Sequence, residues 1–307
     1  MRIVFFGTPL FAVASFEALL RDRFTVTGVV TQPDKPQGRS RSELVSPPVK
    51  VAARAHGLPV LQPVRPVGDV FTASLRRLEP DLGVVVAYGH ILRPEILAIP
   101  SKGMINVHAS LLPRYRGAAP IQHAILQGER ETGITIMQME EGLDSGPILH
   151  HTATPIGPTE TAGALAERLA DLGAAALVEA LSLVAAGLAR PVSQDHARAT
   201  YAPKLDRDLA RIDWQRNAAG LANHIRAFDP APGAWTTLKG TTLKLFGARE
   251  AEGSGEPGEV LATGDRLVIA ARNSAIEVAE VQPAGKPRML VQAWARGRGV
   301  SVGQQLE

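Results

Sequence analysis

The sequence predicts a two-part α/β protein: a mostly parallel sheet with crossover helices, then a small antiparallel β-barrel. Three observations carry this. The 307 residues suffice for two domains, at about 150 residues each. The first half alternates short apolar runs with stretches of helical spacing, the pattern of βαβ units. Beyond a polar stretch the texture changes to short apolar runs separated by Gly, Pro and Asp, as in small barrels. The expected boundaries are 1–189 for the sheet domain, 190–205 for a linker and 206–307 for the barrel.

The elements follow in order. Arg2 to Phe6 is an apolar strand ending at Gly7. Phe11, Val13, Phe16, Leu19 and Leu20 recur at helical spacing, and Phe24 to Thr31 reads as a second strand. Gln32 to Pro48 has no apolar period and is expected to be a long loop, which in a compact domain is usually functional or disordered. Val49 to Ala55 is helix, Val60-Leu61 a short strand and Asp69 to Leu78 helix. Leu82 to Ala87 is a continuous apolar run, hence a buried central strand. Met104 to His108 is a further strand, Pro120 to Gln127 a helix and Gly133 to Met139 a strand-like run. Thr161 to Leu188 is Ala-rich and helical, expected as two segments that break near Gly173. Pro191 to Lys204 shows neither period and reads as the linker. Leu221 to Phe228 is a short helix, followed by strands at 235–238, 242–246, 259–261, 267–270 and 276–282.

Composition narrows the chemistry. With hydrophobic residues at 45% and charged residues at 21%, the chain can fill a core, so wholesale disorder is excluded. Cys is 0, which removes disulfides, thiolate metal sites and cysteine nucleophiles, and fits a reducing cytoplasm. No basic segment leads into an apolar stretch at the N-terminus, so no signal peptide is expected. No apolar run of about 18 residues lacks a charge, so no membrane span is expected. The formal net charge of +3 does not by itself point to nucleic acid; such a site would be a local patch. The 8 His include no H-x-H or H-x-x-x-H pair, and no metal site is expected.

Three segments carry candidate chemistry. Asn106 and His108 sit two apart on a strand and therefore share a face, at the strand's C-terminal end. That is the rim where open α/β sheets bind ligands. An amide and an imidazolium can both donate to an oxyanion. The loop Ser110 to Gly117 brings Arg114, Tyr115 and Arg116 directly after them. Asp144 lies between Gly142 and Gly146, where it can approach a ligand closely; beside His108 it would orient the ring. Each segment alone is also what an ordinary strand end or turn would show. Together they supply amide, imidazole and carboxylate with no activated nucleophile, since Ser110 has no nucleophile elbow. The implied reaction is acyl transfer in which the attacking group belongs to the substrate. After the first strand, Gly7-Thr8-Pro9 lacks the G-x-G-x-x-G pattern, which argues against NAD.

The run Asn106-Val107-His108-Ala109-Ser110-Leu111-Leu112-Pro113, with Arg116-Gly117, Gly133-Ile134-Thr135 and Gly142 to Gly146, resembles the formyltransferases that use 10-formyltetrahydrofolate. Further segments are similar to the methionyl-tRNA formyltransferase family: Phe6-Gly7-Thr8-Pro9, Thr31-Gln32-Pro33-Asp34, Val86-Ala87-Tyr88-Gly89, Arg116 to Gln122, Tyr201-Ala202-Pro203-Lys204, Ile225 to Phe228 and Gln282 to Lys286. The resemblance spans nearly the whole chain. It implies a Rossmann-like domain and an OB-like barrel that contributes to tRNA binding. It implies 10-formyltetrahydrofolate as co-substrate, without a metal, and methionyl initiator tRNA as partner. Asn106, His108 and Asp144 become the expected catalytic residues, and Ser110, Leu111, Leu112 and Pro113 the folate contacts. Lys35, Arg39 and Arg41 are the expected phosphate contacts of a tRNA-binding loop, with Lys50 flanking it. That loop departs from the family pattern: Ser40-Arg41-Ser42-Glu43-Leu44 is longer and less basic. A cytoplasmic monomer is expected.

Two other readings remain open. One is formyl transfer to a different amine, glycinamide ribonucleotide or an amino-sugar nucleotide. The barrel argues against the first, and a chain stopping at Glu307 against the usual longer form of the second. The other is a non-catalytic RNA-binding module, which leaves Asn106, His108 and Asp144 unexplained.

Overall fold

The structure, a computed structural model, describes residues 1–37, 43–297 and 299–307. The chain forms two compact units. The first comprises Met1–Pro120, Thr132–Thr154 and Ala166–Ala202; the second comprises Ile121–Glu131, Pro155–Leu165 and Pro203–Glu307.

In chain order the first half runs β1 (Arg2–Gly7), α1 (Leu10–Arg21), β2 (Thr25–Val30), β3 (Lys35–Gln37), β4 (Glu43–Val45), α2 (Pro48–Ala55) and β5 (Val60–Leu61). It continues with α3 (Asp69–Arg76), β6 (Leu82–Val86), α4 (Pro94–Leu97), β7 (Met104–His108), α5 (Pro120–Leu126), β8 (Glu131–Gln138), β9 (Ile148–Pro155) and α6 (Ala162–Ala185). The sheet of the first unit has 7 strands in the order β5-β2-β1-β6-β7-β8-β9. Strands β5 through β7 are parallel, and β8 runs antiparallel to β7. The mixed α/β class with a mostly parallel sheet is as expected. The strand order reverses at β1 and β6, so the crevice for a ligand lies beyond their C-terminal ends.

Both faces of the sheet are covered, which is why its strands read as unbroken apolar runs. Val4 and Phe6 of β1 pack with Val85, Tyr88 and Met104 and with Phe71 and Leu75 of α3. Phe5, on the opposite face, meets Phe16 of α1 with ring centroids 5.5 Å apart.

Two expectations are corrected. The segment 161–188 does not break at Gly173; α6 is one helix. A Cβ at Gly173 would lie 3.2 Å from Val107 Cγ1 and 3.4 Å from Ile134 Cδ1. The glycine thus lets the helix approach the sheet, and the packing outweighs its poor helix propensity, a cost of about 1 kcal/mol. The stretch 32–48 is not all loop. Lys35, Pro36 and Gln37 pair antiparallel with Val45, Leu44 and Glu43, in strands too short to show a period in sequence.

After a single 3-10 turn at His196–Arg198, the second unit contributes α7 (Ala218–Ala227), β10 (Ala234–Leu238), β11 (Thr241–Ala251), β12 (Val260–Ala262), β13 (Leu267–Ala270), β14 (Ala275–Pro283), β15 (Met289–Leu290) and α8 (Val291–Arg296). Its sheet is antiparallel, in the order β10-β11-β14-β13-β12, with β15 on β14. The C-terminal residues bond to both edge strands. Glu307 exchanges backbone hydrogen bonds with Thr237 at 3.0 Å, and Gln304 O accepts from Val260 N at 2.9 Å. The stretch 155–165 joins this unit through Arg226 of α7, whose Nη1 donates to the Gly157 and Glu160 carbonyls at 3.1 Å each.

His224 of α7 is buried against Phe228, and among the described residues neither ring nitrogen makes a well-formed hydrogen bond. Burial pushes its pKa down from 6.5 to about 4, with the nearby Ala210 backbone and Asp213 opposing the effect and Arg216 adding to it. The unfolded chain therefore binds this proton more readily than the folded one. The neutral ring's contribution is fully present above about pH 6.5 and is lost as pH falls toward about 4. At about 1.4 kcal/mol per unit, this amounts to on the order of 3 kcal/mol. Urea unfolding of the His224→Leu protein is expected to show a flatter acid limb across that range than the parent. Parallel limbs would count against His224 as the source.

Candidate functional site

The site is built on the last residues of β7. Val107 faces α6, so strand alternation turns Asn106 and His108 to the other face. Asn106 is half-buried, and among the described residues its side-chain amide makes no hydrogen bond. It is a donor held in place by its strand and left available to a ligand.

His108 is buried, and its two nitrogens are distinct. Nε2 lies 2.9 Å from the Tyr115 carbonyl oxygen. A carbonyl can only accept, so Nε2 carries the hydrogen and donates. Nδ1 then faces Asp144 Oδ2 at 3.7 Å, longer than a direct hydrogen bond. The ring is thus oriented chiefly by the Tyr115 carbonyl, while Asp144 supplies a nearby negative charge. Sequence reasoning gave the orienting role to Asp144 alone. The Tyr115 carbonyl escaped it because any residue type offers one, and the left-handed backbone at Tyr115, φ 60°, is a feature of the folded loop.

Asp144 comes from a loop that folds onto the same face. Its Oδ2 accepts a hydrogen bond from Gly117 N at 2.8 Å. Gly117, at φ 119°, could not carry a side chain, because a Cβ would strike the Ala202 carbonyl. The carboxylate is mostly buried, with 17% of its side chain exposed. The structure therefore brings Asn106, His108 and Asp144 to one place.

The expected folate segment is held from within. Ser110 is fully buried and its Oγ donates to the Arg114 carbonyl at 2.6 Å, so it serves the loop's shape and is not a nucleophile. Thr135 Oγ1 donates to the Ser110 carbonyl at 2.7 Å and accepts from Leu112 N at 3.1 Å. This gives Gly133-Ile134-Thr135 its purpose. A Cβ at Gly133 would collide with Leu111 and the Thr152 carbonyl. Leu112 is buried, and Leu111 and Pro113 are half-buried.

Neighbouring strand ends form the rest of the rim. Thr8 Oγ1, after β1, donates to the Tyr88 carbonyl after β6 at 3.0 Å, and Gln32 Nε2 donates to the same oxygen at 3.0 Å. Burial pushes the Tyr88 phenol pKa up. At the base of the β3–β4 hairpin, Asp34 accepts from Gln62 Nε2 at 2.8 Å, from Lys50 Nζ at 2.6 Å and from Ser46 Oγ at 3.1 Å. The Gln62 and Lys50 hydrogen bonds hold its pKa down to about 2. Lys50, which flanks the loop, is buried in this cluster. Lys35 is exposed, with Nζ 2.7 Å from Gln32 Oε1. Arg39 and Arg41 lie outside the described residues.

Sequence reasoning missed Gln194. It lies in the polar stretch read as linker, yet it is buried and donates to the Asp144 and Gly146 carbonyls at 2.9 and 2.7 Å. Lack of periodicity had marked the stretch as unstructured, and a lone Gln carries no motif.

The chain is similar to known proteins over nearly its whole length. Residues 1–181 match the formyl transferase family model, and residues 204–299 match the formyl transferase C-terminal domain model. The methionyl-tRNA formyltransferase of Aromatoleum aromaticum is 47% identical over 308 aligned positions, covering 100% of this chain and 97% of that one. The one from Anaeromyxobacter dehalogenans is 50% identical, covering 94% of each chain. Among solved structures, an N-formyltransferase from Helicobacter canadensis superposes with a TM-score of 0.69 at 18% identity, covering 92% of this chain and 98% of that one. The methionyl-tRNA formyltransferase from Clostridium thermocellum gives a TM-score of 0.58 at 14% identity, covering 83% and 95%. These structures share the fold. On the sequence matches, this chain belongs to the formyl transferase family, and within it to the methionyl-tRNA formyltransferases.

Proposed function

We propose that the chain transfers the formyl group of 10-formyltetrahydrofolate to the amino group of methionine on charged initiator tRNA. The observation that carries the reading is the gathering of Asn106, His108 and Asp144 on one face beside a serine that is buried and tied down. The neutral amine attacks the formyl carbon. As the tetrahedral intermediate forms, the Asn106 amide stabilises its oxyanion, and His108 joins it through Nδ1 in the imidazolium form, the only form with a hydrogen on Nδ1 while Nε2 stays bonded to the Tyr115 carbonyl. Collapse breaks the bond from carbon to the folate nitrogen, which takes up a proton. The amine nitrogen loses one, and Asp144 accepts it through water. No metal and no covalent enzyme intermediate enter. The backbone and half-buried side chains of residues 110–113 form the folate contact in this reading.

The second unit we read as an OB-like barrel that contributes to tRNA binding. Its antiparallel order and the bonds of the C-terminal residues to both edge strands support this. We assign catalysis to residues 1–189 and the phosphate contacts of the 35–45 segment to Lys35, Arg39 and Arg41. No step requires a second copy, so we read the enzyme as a monomer. A charged tRNA substrate implies a cytoplasmic one.

The test presents the purified protein and 10-formyltetrahydrofolate with methionyl initiator tRNA, glycinamide ribonucleotide or an amino-sugar nucleotide in parallel. Formyl transfer to the charged tRNA alone is the expected result. Transfer only to a small amine would replace this substrate, and transfer to none would remove the catalytic reading.

A further inference from the structure

We propose that Gln194 is a positioning residue for formyl transfer, holding the 142–146 loop so that the Asp144 carboxylate stays against His108. The inference rests on the catalytic reading given above for Asp144.

Four hydrogen bonds saturate the Gln194 amide. Its nitrogen donates to the Asp144 carbonyl at 2.9 Å and the Gly146 carbonyl at 2.7 Å. Its oxygen accepts from Arg116 Nε at 3.2 Å and Nη2 at 2.6 Å. The side chain is 6% exposed, so these bonds form with little competition from water. What they hold needs holding. Asp144 sits at φ 47°, a left-handed conformation uncommon outside glycine, although Asp adopts it more readily than most residues.

Arg116 anchors the other end. It is buried, and its Nη2 also lies 3.1 Å from His196 Nδ1. Its backbone is fixed as well, since Arg116 N donates to the Thr200 carbonyl at 2.8 Å and Ala202 N donates to the Arg116 carbonyl at 2.7 Å. The next residue, Gly117, supplies the N–H that binds Asp144 Oδ2. Gln194 therefore ties together both segments that place the carboxylate. Among the described residues it makes no hydrogen bond to His108 or Asn106, and it acts through the loop.

The experiment uses the full chain with Gln194→Leu and Gln194→Glu. Gln194→Leu removes all four bonds. Gln194→Glu, nearly isosteric, keeps an acceptor for Arg116 but sets a carboxylate against two carbonyl oxygens. Both are expected to lower kcat by about 10–100-fold, the scale of a small misplacement of a reacting group. KM for each substrate should stay within about threefold, because a misplaced proton-handling group weakens the transition state and not ground-state binding. Combined with Asp144→Asn, either should add almost nothing to the Asp144→Asn loss, whereas general destabilisation would add. Hydrogen exchange at the Gly117 amide should quicken while the β7 amides stay protected. A folded Gln194→Glu protein with kcat near the parent's, an additive cycle or unchanged Gly117 exchange would overturn the proposal. If the parent itself transferred no formyl group, the functional reading would fall, and Gly117 exchange would still decide whether Gln194 holds the loop.

Discussion

Asn106→Ala is expected to lower kcat/KM for formyl transfer by about 10²–10³-fold while the protein stays folded, the usual cost of deleting one oxyanion donor. The structure explains why rate and stability should separate here. Asn106 joins the sheet through its backbone, opposite Val85 and Met137, and these ladders survive the substitution. Its half-buried side-chain amide makes no hydrogen bond among the described residues, so no structural bond is lost. The amide meets full negative charge only in the tetrahedral state, so KM for methionyl tRNA should change little and kcat should carry the loss. Single-turnover transfer beside a thermal melt reads both quantities. Near-normal turnover in a folded Asn106→Ala protein would remove the residue from the oxyanion site.

Asp144→Asn is expected to cost more, about 10³–10⁴-fold, the scale seen when a buried carboxylate beside a catalytic imidazole loses its charge. The change keeps the shape of the side chain. Its amide oxygen can still accept from Gly117 N, the bond now made at 2.8 Å, so the loop should hold. What disappears is the negative charge 3.7 Å from His108 Nδ1 and the final proton acceptor. Asp144→Ala would also leave the Gly117 N–H without its partner, adding a stability loss of about 1–3 kcal/mol. Asn and Ala should therefore be similarly inactive but differ in melting temperature. A folded Asp144→Asn protein within tenfold of the parent would mean that the charge at this position is dispensable.

Much of this was legible in the residues. Helical spacing in 11–20 and the apolar runs at 2–7 and 82–87 marked the parallel sheet, because burial on both faces leaves a direct trace in composition. Alternation on β7 was enough to set Asn106 beside His108. Other features left no such trace. The β3–β4 ladder is three pairs long. Gly173 looked like a helix break because propensity is local, whereas the space it opens for Val107 is tertiary. The assignment of 121–131 and 155–165 to the second unit depends on distant partners, such as Arg226 for the Gly157 and Glu160 carbonyls.

By itself the sequence determined the fold class, the absence of cysteine chemistry and the pairing of an amide with an imidazole at a strand's C-terminal end. These are properties of neighbours along the chain, where strand and helix periods decide which side chains share a face. Only the tertiary structure decided the rest of the site. It placed Asp144 against His108, aimed the Tyr115 carbonyl at Nε2, buried Lys50 with Asp34 and locked the carboxylate's loop with Gln194. Those contacts join segments far apart in sequence, and they form because buried polar groups must find partners wherever the packed chain brings them.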